Sequence, residues 1–98
     1  MSLMPEEKDR VPKFPMGRIL VSASAKRSLQ QGDVVNALLR HASGDWGLVE
    51  DEDRKLNDRA LEIGERLFSM YRSEAGVKFY VITEWDRSVT TILLPEDY

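Results

Sequence analysis

Ninety-eight residues, 42% hydrophobic and 32% charged, suffice for one domain with one modest core. The absence of cysteine excludes disulfides, thiolate metal sites and cysteine nucleophiles. A net charge of −3 argues against non-specific nucleic-acid binding, because neutralising phosphates needs clustered Lys and Arg. No apolar run approaches the ~20 residues that span a bilayer. The opening MSLMPEEKDR lacks the apolar stretch of a signal peptide, so a cytoplasmic location is expected.

Residues 1–16 are charged and carry Pro5, Pro12 and Pro15, which reads as an extended N-terminal arm. Met1-Ser2-Leu3 ahead of Met4 reads as a vector-derived extension, with Met4 or Met16 as the native start. Residues 17–98 then form the single domain. Gly17 is a hinge into Arg18–Ser22, a short apolar strand. Ala23–Gln31 reads as a short helix capped by Ser22 or Ser24 and stopped by Gly32. Asp33 caps a second helix whose Val34, Val35, Leu38, Leu39 and Ala42 make one apolar stripe, ended by Gly44. Asp45-Trp46-Gly47 is a tight turn, and its Trp46 is expected to plug the core against the helix bearing Leu38 and Leu39. Glu50–Ile63 reads as a third helix, acidic in its first turn where the dipole favours negative charge. Its expected buried face is Leu56, Ala60 and Ile63, and Gly64 ends it.

The last third carries three runs rich in Val, Ile, Thr, Tyr and Phe, near Leu67–Arg72, Val77–Glu84 and Val89–Leu94. The breaks between them, Glu74-Ala75-Gly76 and Asp86-Arg87-Ser88, are hairpin-length and too short for a crossover. They predict a three-stranded antiparallel meander. The fold class is therefore α+β: an antiparallel sheet, joined by the N-terminal strand, with two to three helices on one face. Alternation along the central strand leaves both faces partly apolar. The second face is expected to be covered by the N-terminal arm or a partner chain.

Little in the chain carries chemistry. His41, the single histidine, falls in the last turn of its helix, where the dipole favours an imidazolium, and a structural role is expected. Glu50 to Asp53 lack the alternating ligands and the glycine of a calcium loop. The glycines form neither GxGxxG nor a P-loop. No catalytic residue, metal site or cofactor is therefore assigned. Arg66, Arg72, Lys78 and Arg87, interleaved with Tyr71, Tyr80 and Tyr98, give the meander a basic and aromatic character. Such a set serves base stacking with phosphate contacts, or cross-strand pairing on a solvated sheet. Trp85 ends a strand, and tryptophan is enriched at interface hot spots. The binding candidates are Arg72, Tyr80, Trp85, Arg87 and Tyr98.

The segments GDWG (Gly44–Gly47), the EDR-containing helix start (Glu52–Arg54) and VITEWDRSVTTILLPEDY (Val81–Tyr98) resemble an uncharacterised family of small bacterial proteins carried on plasmids and integrative elements, some called plasmid-related proteins. The resemblance covers about residues 17–98 and implies an accessory role in a mobile element, in a bacterial cytoplasm. A β-α-α-β-β-β order with a Tyr-ended last strand is also similar to the RelE/ParE toxin fold. Its RelE members cut ribosome-bound messenger RNA. That second likeness is topological, and fold alone does not carry function.

The expectation is thus a non-enzymatic binding protein acting through a protein partner or by self-association as a homodimer. The alternative is a RelE-like ribonuclease or its inactive relative, with RNA as partner. It requires Arg72, Arg87 and Tyr98 to converge on one concave face of the sheet. A DNA mimic ranks last, since the negative charge is small and mixed with many cations.

Overall fold

The computed structural model describes residues 11–98. The expectations for residues 1–10, including the reading of Met1-Ser2-Leu3 and of Met4, lie outside the described residues. In chain order the elements are β1 (Arg18–Val21), α1 (Ala23–Ser28), α2 (Gln31–Ala42), α3 (Asp51–Ile63), β2 (Leu67–Arg72), β3 (Lys78–Thr83) and β4 (Val89–Leu93). A 3-10 turn, Pro95–Asp97, leads to the C-terminal Tyr98. The class is α+β, as the patterning predicts.

The meander forms as its hairpin-length breaks require, with β2 antiparallel to β3 and β3 antiparallel to β4. The sheet as a whole is mixed, because β1 joins the β4 edge in parallel, in the order β1-β4-β3-β2. This corrects the expectation of a wholly antiparallel sheet. Three helices separate β1 from the meander, so no short turn dictates the direction in which it pairs.

One face of the sheet carries the core. Leu67, Ser69 and Tyr71 of β2, Phe79, Val81 and Thr83 of β3, and Thr90 and Ile92 of β4 alternate inward and are buried. Ala25 and Leu29 near α1 and Ala37 of α2 pack on Tyr71, Phe79, Val81 and Ile92. Phe14, Trp46, Val49 and Ala60 close over Leu67. Phe14 thus draws the end of the N-terminal segment into the packed domain, and the Lys13 N–H donates to the Ala42 carbonyl at 2.8 Å.

Three helix details differ from the patterning. Gly32 lies inside the first turn of α2, not beyond α1. Asp33 sits at the third helical position and reaches back to accept from the Gln30 N–H at 3.1 Å, which starts the helix earlier. The inward stripe of α2 runs through Val34, Ala37, Leu38 and His41, so Val35 and Leu39 face solvent. Burying His41 against the sheet sets this rotation. In α3 the inward residues are Asn57 and Ala60, whereas Leu56 and Ile63 are exposed.

Asn57 is turned inward because it finishes the outer edge of β2. Its Nδ2 donates to the Phe68 carbonyl at 2.7 Å, and its Oδ1 accepts from the Phe68 N–H at 3.1 Å. Two residues further along β2, the Met70 N–H donates to the Trp46 carbonyl at 3.1 Å. The Leu48 N–H donates to the Met70 carbonyl at 2.7 Å. Gly47 lies between these two bonds at φ 76°, where an added Cβ would collide with the Met70 carbonyl and the Tyr71 ring.

Candidate functional site

The ionisable group best suited to catalysis is consumed inside the fold. His41 is fully buried, its Nδ1 2.6 Å from Ser69 Oγ and its Nε2 2.8 Å from Thr83 Oγ1. Thr83 Oγ1 lies 2.7 Å from Thr90 Oγ1, and the Thr90 hydroxyl donates to the Met16 carbonyl at 2.7 Å. A carbonyl only accepts, so each proton in this file has one place. Thr90 donates to Met16, Thr83 donates to Thr90, and Nε2–H donates to Thr83. Nδ1 then accepts from the Ser69 hydroxyl. Burial, with a smaller repulsion from the Arg87 guanidinium, pushes the imidazole down to about 3. The neutral ring corrects the expectation of an imidazolium favoured by the helix dipole: desolvation outweighs it. The structural role expected for His41 stands.

Trp46 is buried beside this file, as expected, but against different partners. It stacks with Phe14 at 6.4 Å between ring centroids and meets His41 edge-on at 5.6 Å. Its indole Nε1–H donates to Asp58 Oδ1 at 2.9 Å. Its apolar neighbours are Val49, Ala60 and Leu67, not Leu38 and Leu39. The helix rotation that buries His41 takes Leu39 to the outside. The adjoining loop is pinned by the Arg40 guanidinium, which donates to both Asp45 carboxylate oxygens at 2.7 and 3.3 Å and lies over the Tyr71 ring. The bond from Arg40 holds the Asp45 carboxyl below its ordinary range.

The opposite face of the sheet presents the candidate site. Phe68 and Met70 of β2, Tyr80 and Ile82 of β3, and Thr91 and Leu93 of β4 point to it by strand alternation. The C-terminus folds back to this face. Asp97 Oδ2 accepts from the Leu94 N–H at 3.2 Å, from Ser22 Oγ at 2.7 Å and from Ser24 Oγ, which ties the 3-10 turn to the β1–α1 junction. The bonds from Ser24 and Ser22 lower the Asp97 carboxyl. The chain end is thereby directed so that the Tyr98 ring lies 5.9 Å from Tyr80 and 6.0 Å from Phe68, both edge-on, while Phe68 and Tyr80 are 4.8 Å apart. Arg66 Nη2 donates to the Tyr98 hydroxyl at 2.5 Å, and its guanidinium stands 5.5 Å from the ring centroid. Tyr98 remains 69% exposed. Arg66 and Phe68 also line a groove of about 280 Å³ with Asp53, Leu56, Asn57, Ala60 and Glu65.

Of the five residues marked in the sequence, the structure brings two together, Tyr80 and Tyr98. Trp85 is 66% exposed in the β3–β4 turn. Arg72 sits at the other hairpin, donating to the Gly76 carbonyl at 3.3 Å. Arg87 has a structural task. Its guanidinium donates to the carbonyls of Glu65 at 2.6 Å, Ala60 at 3.0 Å and Glu84 at 3.1 Å, and lies over the Phe14 ring. The hairpins bearing Arg72 and Arg87 are at opposite ends of β3, a separation of about 20 Å for six residues. They do not converge with Tyr98 on one face, which is the arrangement the ribonuclease alternative requires.

Phe68 and Leu56 escape the sequence reading as binding candidates, and Arg66 enters it only within the basic set of the meander. For Phe68 the signal is present, since alternation with the buried Leu67 and Ser69 sends it to the far face. Arg66 and Leu56 become site residues through the return of Tyr98 and the inward turn of Asn57. Among the described residues no group of three His, Cys, Asp or Glu stands close enough to hold a metal ion. No described helix is long and apolar enough to cross a membrane. No protein-family model, curated protein or solved structure matches the chain.

Proposed function

We propose that the chain is a non-enzymatic binding protein that acts through a protein partner, as an accessory factor of a bacterial mobile element. The face it presents is the aromatic side of the sheet. The observation that carries this reading is the Phe68–Tyr80–Tyr98 cluster with Arg66 on its edge, open to solvent at Tyr98. Tyr and Arg are enriched among the residues that dominate protein interfaces: the aromatic ring buries a large area at low cost in side-chain entropy, and the planar guanidinium stacks on it and donates several hydrogen bonds. The neighbouring groove extends the apolar surface with Leu56, which is 63% exposed. The mobile-element assignment follows from the resemblance of residues 17–98, and a bacterial cytoplasm goes with it.

The deciding experiment is affinity capture from a bacterial host with the wild-type chain, Tyr98→Ala, Arg66→Ala and Lys78→Ala. The reading expects a stoichiometric protein retained by wild type and Lys78→Ala and lost with both face variants. Recovery of RNA or ribosomes in place of a protein, or capture indifferent to Tyr98 and Arg66, would overturn it.

A further inference from the structure

The two edges of the sheet are finished differently, and the difference points to a second copy of this chain. The β2 edge is closed by the Asn57 amide and by the Trp46–Leu48 segment. The β1 edge has no such cover among the described residues. In its parallel ladder the Arg18 N–H donates to the Ser88 carbonyl and the Ser22 N–H to the Ile92 carbonyl, both at 2.9 Å. Arg18, Leu20 and Ser22 therefore turn their backbone groups toward β4, and Ile19 and Val21 turn theirs outward. The side chains of Ile19, Leu20 and Val21 are exposed as well. An apolar edge with unpaired N–H and C=O groups is a template for another strand.

We infer that this edge pairs with β1 of a second copy, antiparallel about a two-fold axis at Leu20, to give one continuous eight-stranded sheet. In this register the strand is complementary to itself. With the axis at Leu20, Ile19 meets Val21 of the copy and Val21 meets Ile19 of the copy. All four outward N–H groups of the two chains then find carbonyls. An axis at Ile19 or Val21 leaves half of these groups facing residues beyond the strand. In the Leu20 register Arg18 faces Ser22 of the copy, so no like charges stand opposite each other. On the helix side, Ile19 of the copy comes beside Val21, one of the residues that line a groove of about 530 Å³ with Lys26, Leu29, Gln31 and Val34. On the other side Leu20 meets Leu20 of the copy. The edge is held ready for pairing, because Ser22 both caps α1 through the Ala25 N–H and bonds Asp97. This pairing is independent of the aromatic face.

The absence of cysteine allows a direct test. The full chain is expected to show twice its monomer mass by light scattering at micromolar concentration. Residues opposite each other across a non-hydrogen-bonded antiparallel pair lie about 4.5 Å apart at Cα, within disulfide reach. Leu20→Cys is therefore expected to cross-link to itself on mild oxidation, and Ile19→Cys at least about ten-fold less, since it opposes Val21. Val21→Pro deletes an outward N–H without touching the ladder to β4, and is expected to weaken self-association by about ten-fold or more with the melting temperature kept. If it fails to fold, Ile19→Lys places a charge on the same edge and has the same expected effect. A monomer at all concentrations, equal cross-linking of the two Cys variants, or a folded edge variant that dimerises like wild type would overturn the inference. So would a foreign segment occupying this edge on a monomeric chain.

Discussion

The side-chain amide of Asn57 bonds both backbone groups of Phe68, at 2.7 and 3.1 Å, and so serves β2 as its missing neighbour strand. The same contact sets the rotation of α3 and places Phe68 between the groove and the aromatic cluster. Structure and candidate site are joined at this pair. Asn57→Ala leaves a donor and an acceptor of Phe68 without protein partners. The expected loss is about 2–6 kcal/mol in denaturant unfolding, from two unsatisfied groups at about 1–3 kcal/mol each. Protection of the Phe68 amide from hydrogen exchange should fall with it. Unaltered protection would refute the edge-capping role.

His41 should make the fold acid-sensitive above the carboxylate range. Its ordinary value is 6.5 and burial lowers it to about 3. The unfolded chain therefore binds the extra proton between these limits, and the folded chain does not. Stability from this group is fully present above about pH 6.5 and is lost as pH falls toward 3. A gap of about 3.5 units at 1.36 kcal/mol each corresponds to an effect on the order of 5 kcal/mol. Asp45 and Asp97, with lowered carboxyls, add their losses at more acid pH. The specific signature is thus the slope between pH 4 and 6.5. It should vanish in His41→Gln, measured by urea unfolding at a series of pH values, even if that variant is less stable throughout.

Trp46 and Trp85 should separate cleanly in fluorescence. Trp46 is buried with its indole N–H on Asp58, whereas Trp85 is open to water. Trp46→Phe should remove the blue-shifted emission and leave a red-shifted spectrum that changes little on unfolding. It should cost less than Trp46→Ala, for which about 3–5 kcal/mol is expected. A blue-shifted spectrum surviving in Trp46→Phe would reverse the two assignments.

Legibility from sequence followed the range of the interactions involved. The meander was readable because two short breaks leave adjacent strands no geometry but antiparallel. The direction of β1 was not, since Arg18–Val21 carries four residues and no turn that binds it to a neighbour. Hydrophobic spacing ranks Leu56 and Ile63 above Asn57 and so points to the wrong face of α3. An amide goes inward only when a strand edge awaits it, and that is a tertiary fact. Arg87 read as a binding residue because nothing local shows that it will meet the carbonyls of Ala60 and Glu65. Residue type alone points to Tyr80 and Tyr98. Their meeting depends on Asp97 bonding Ser22, 75 positions away.

Gly32 and Gly47 should respond to alanine with opposite sign, which tests the fold at two points where sequence alone gives the same residue. Gly32 lies within α2 with nothing within 4 Å of the site a Cβ would take. Alanine there adds no contact and removes freedom from the unfolded chain, so Gly32→Ala is expected to stabilise by about 0.4–1 kcal/mol. Were Gly32 a helix stop in the left-handed region, the same change would destabilise. Gly47 is in that region at φ 76°, wedged where the Trp46 and Leu48 backbones pair with Met70. A methyl group there both strains the backbone, at about 1–2 kcal/mol, and drives the loop from the Met70 carbonyl. The loop cannot retreat without breaking the two bonds that close the β2 edge. Gly47→Ala is therefore expected to lose about 3 kcal/mol or more, the strain together with two hydrogen bonds at about 1 kcal/mol each. It should also raise exchange at the Met70 amide. Thermal melts of the two single variants and of the double variant check this. The sites share no contact, so the double should equal the sum within about 0.5 kcal/mol.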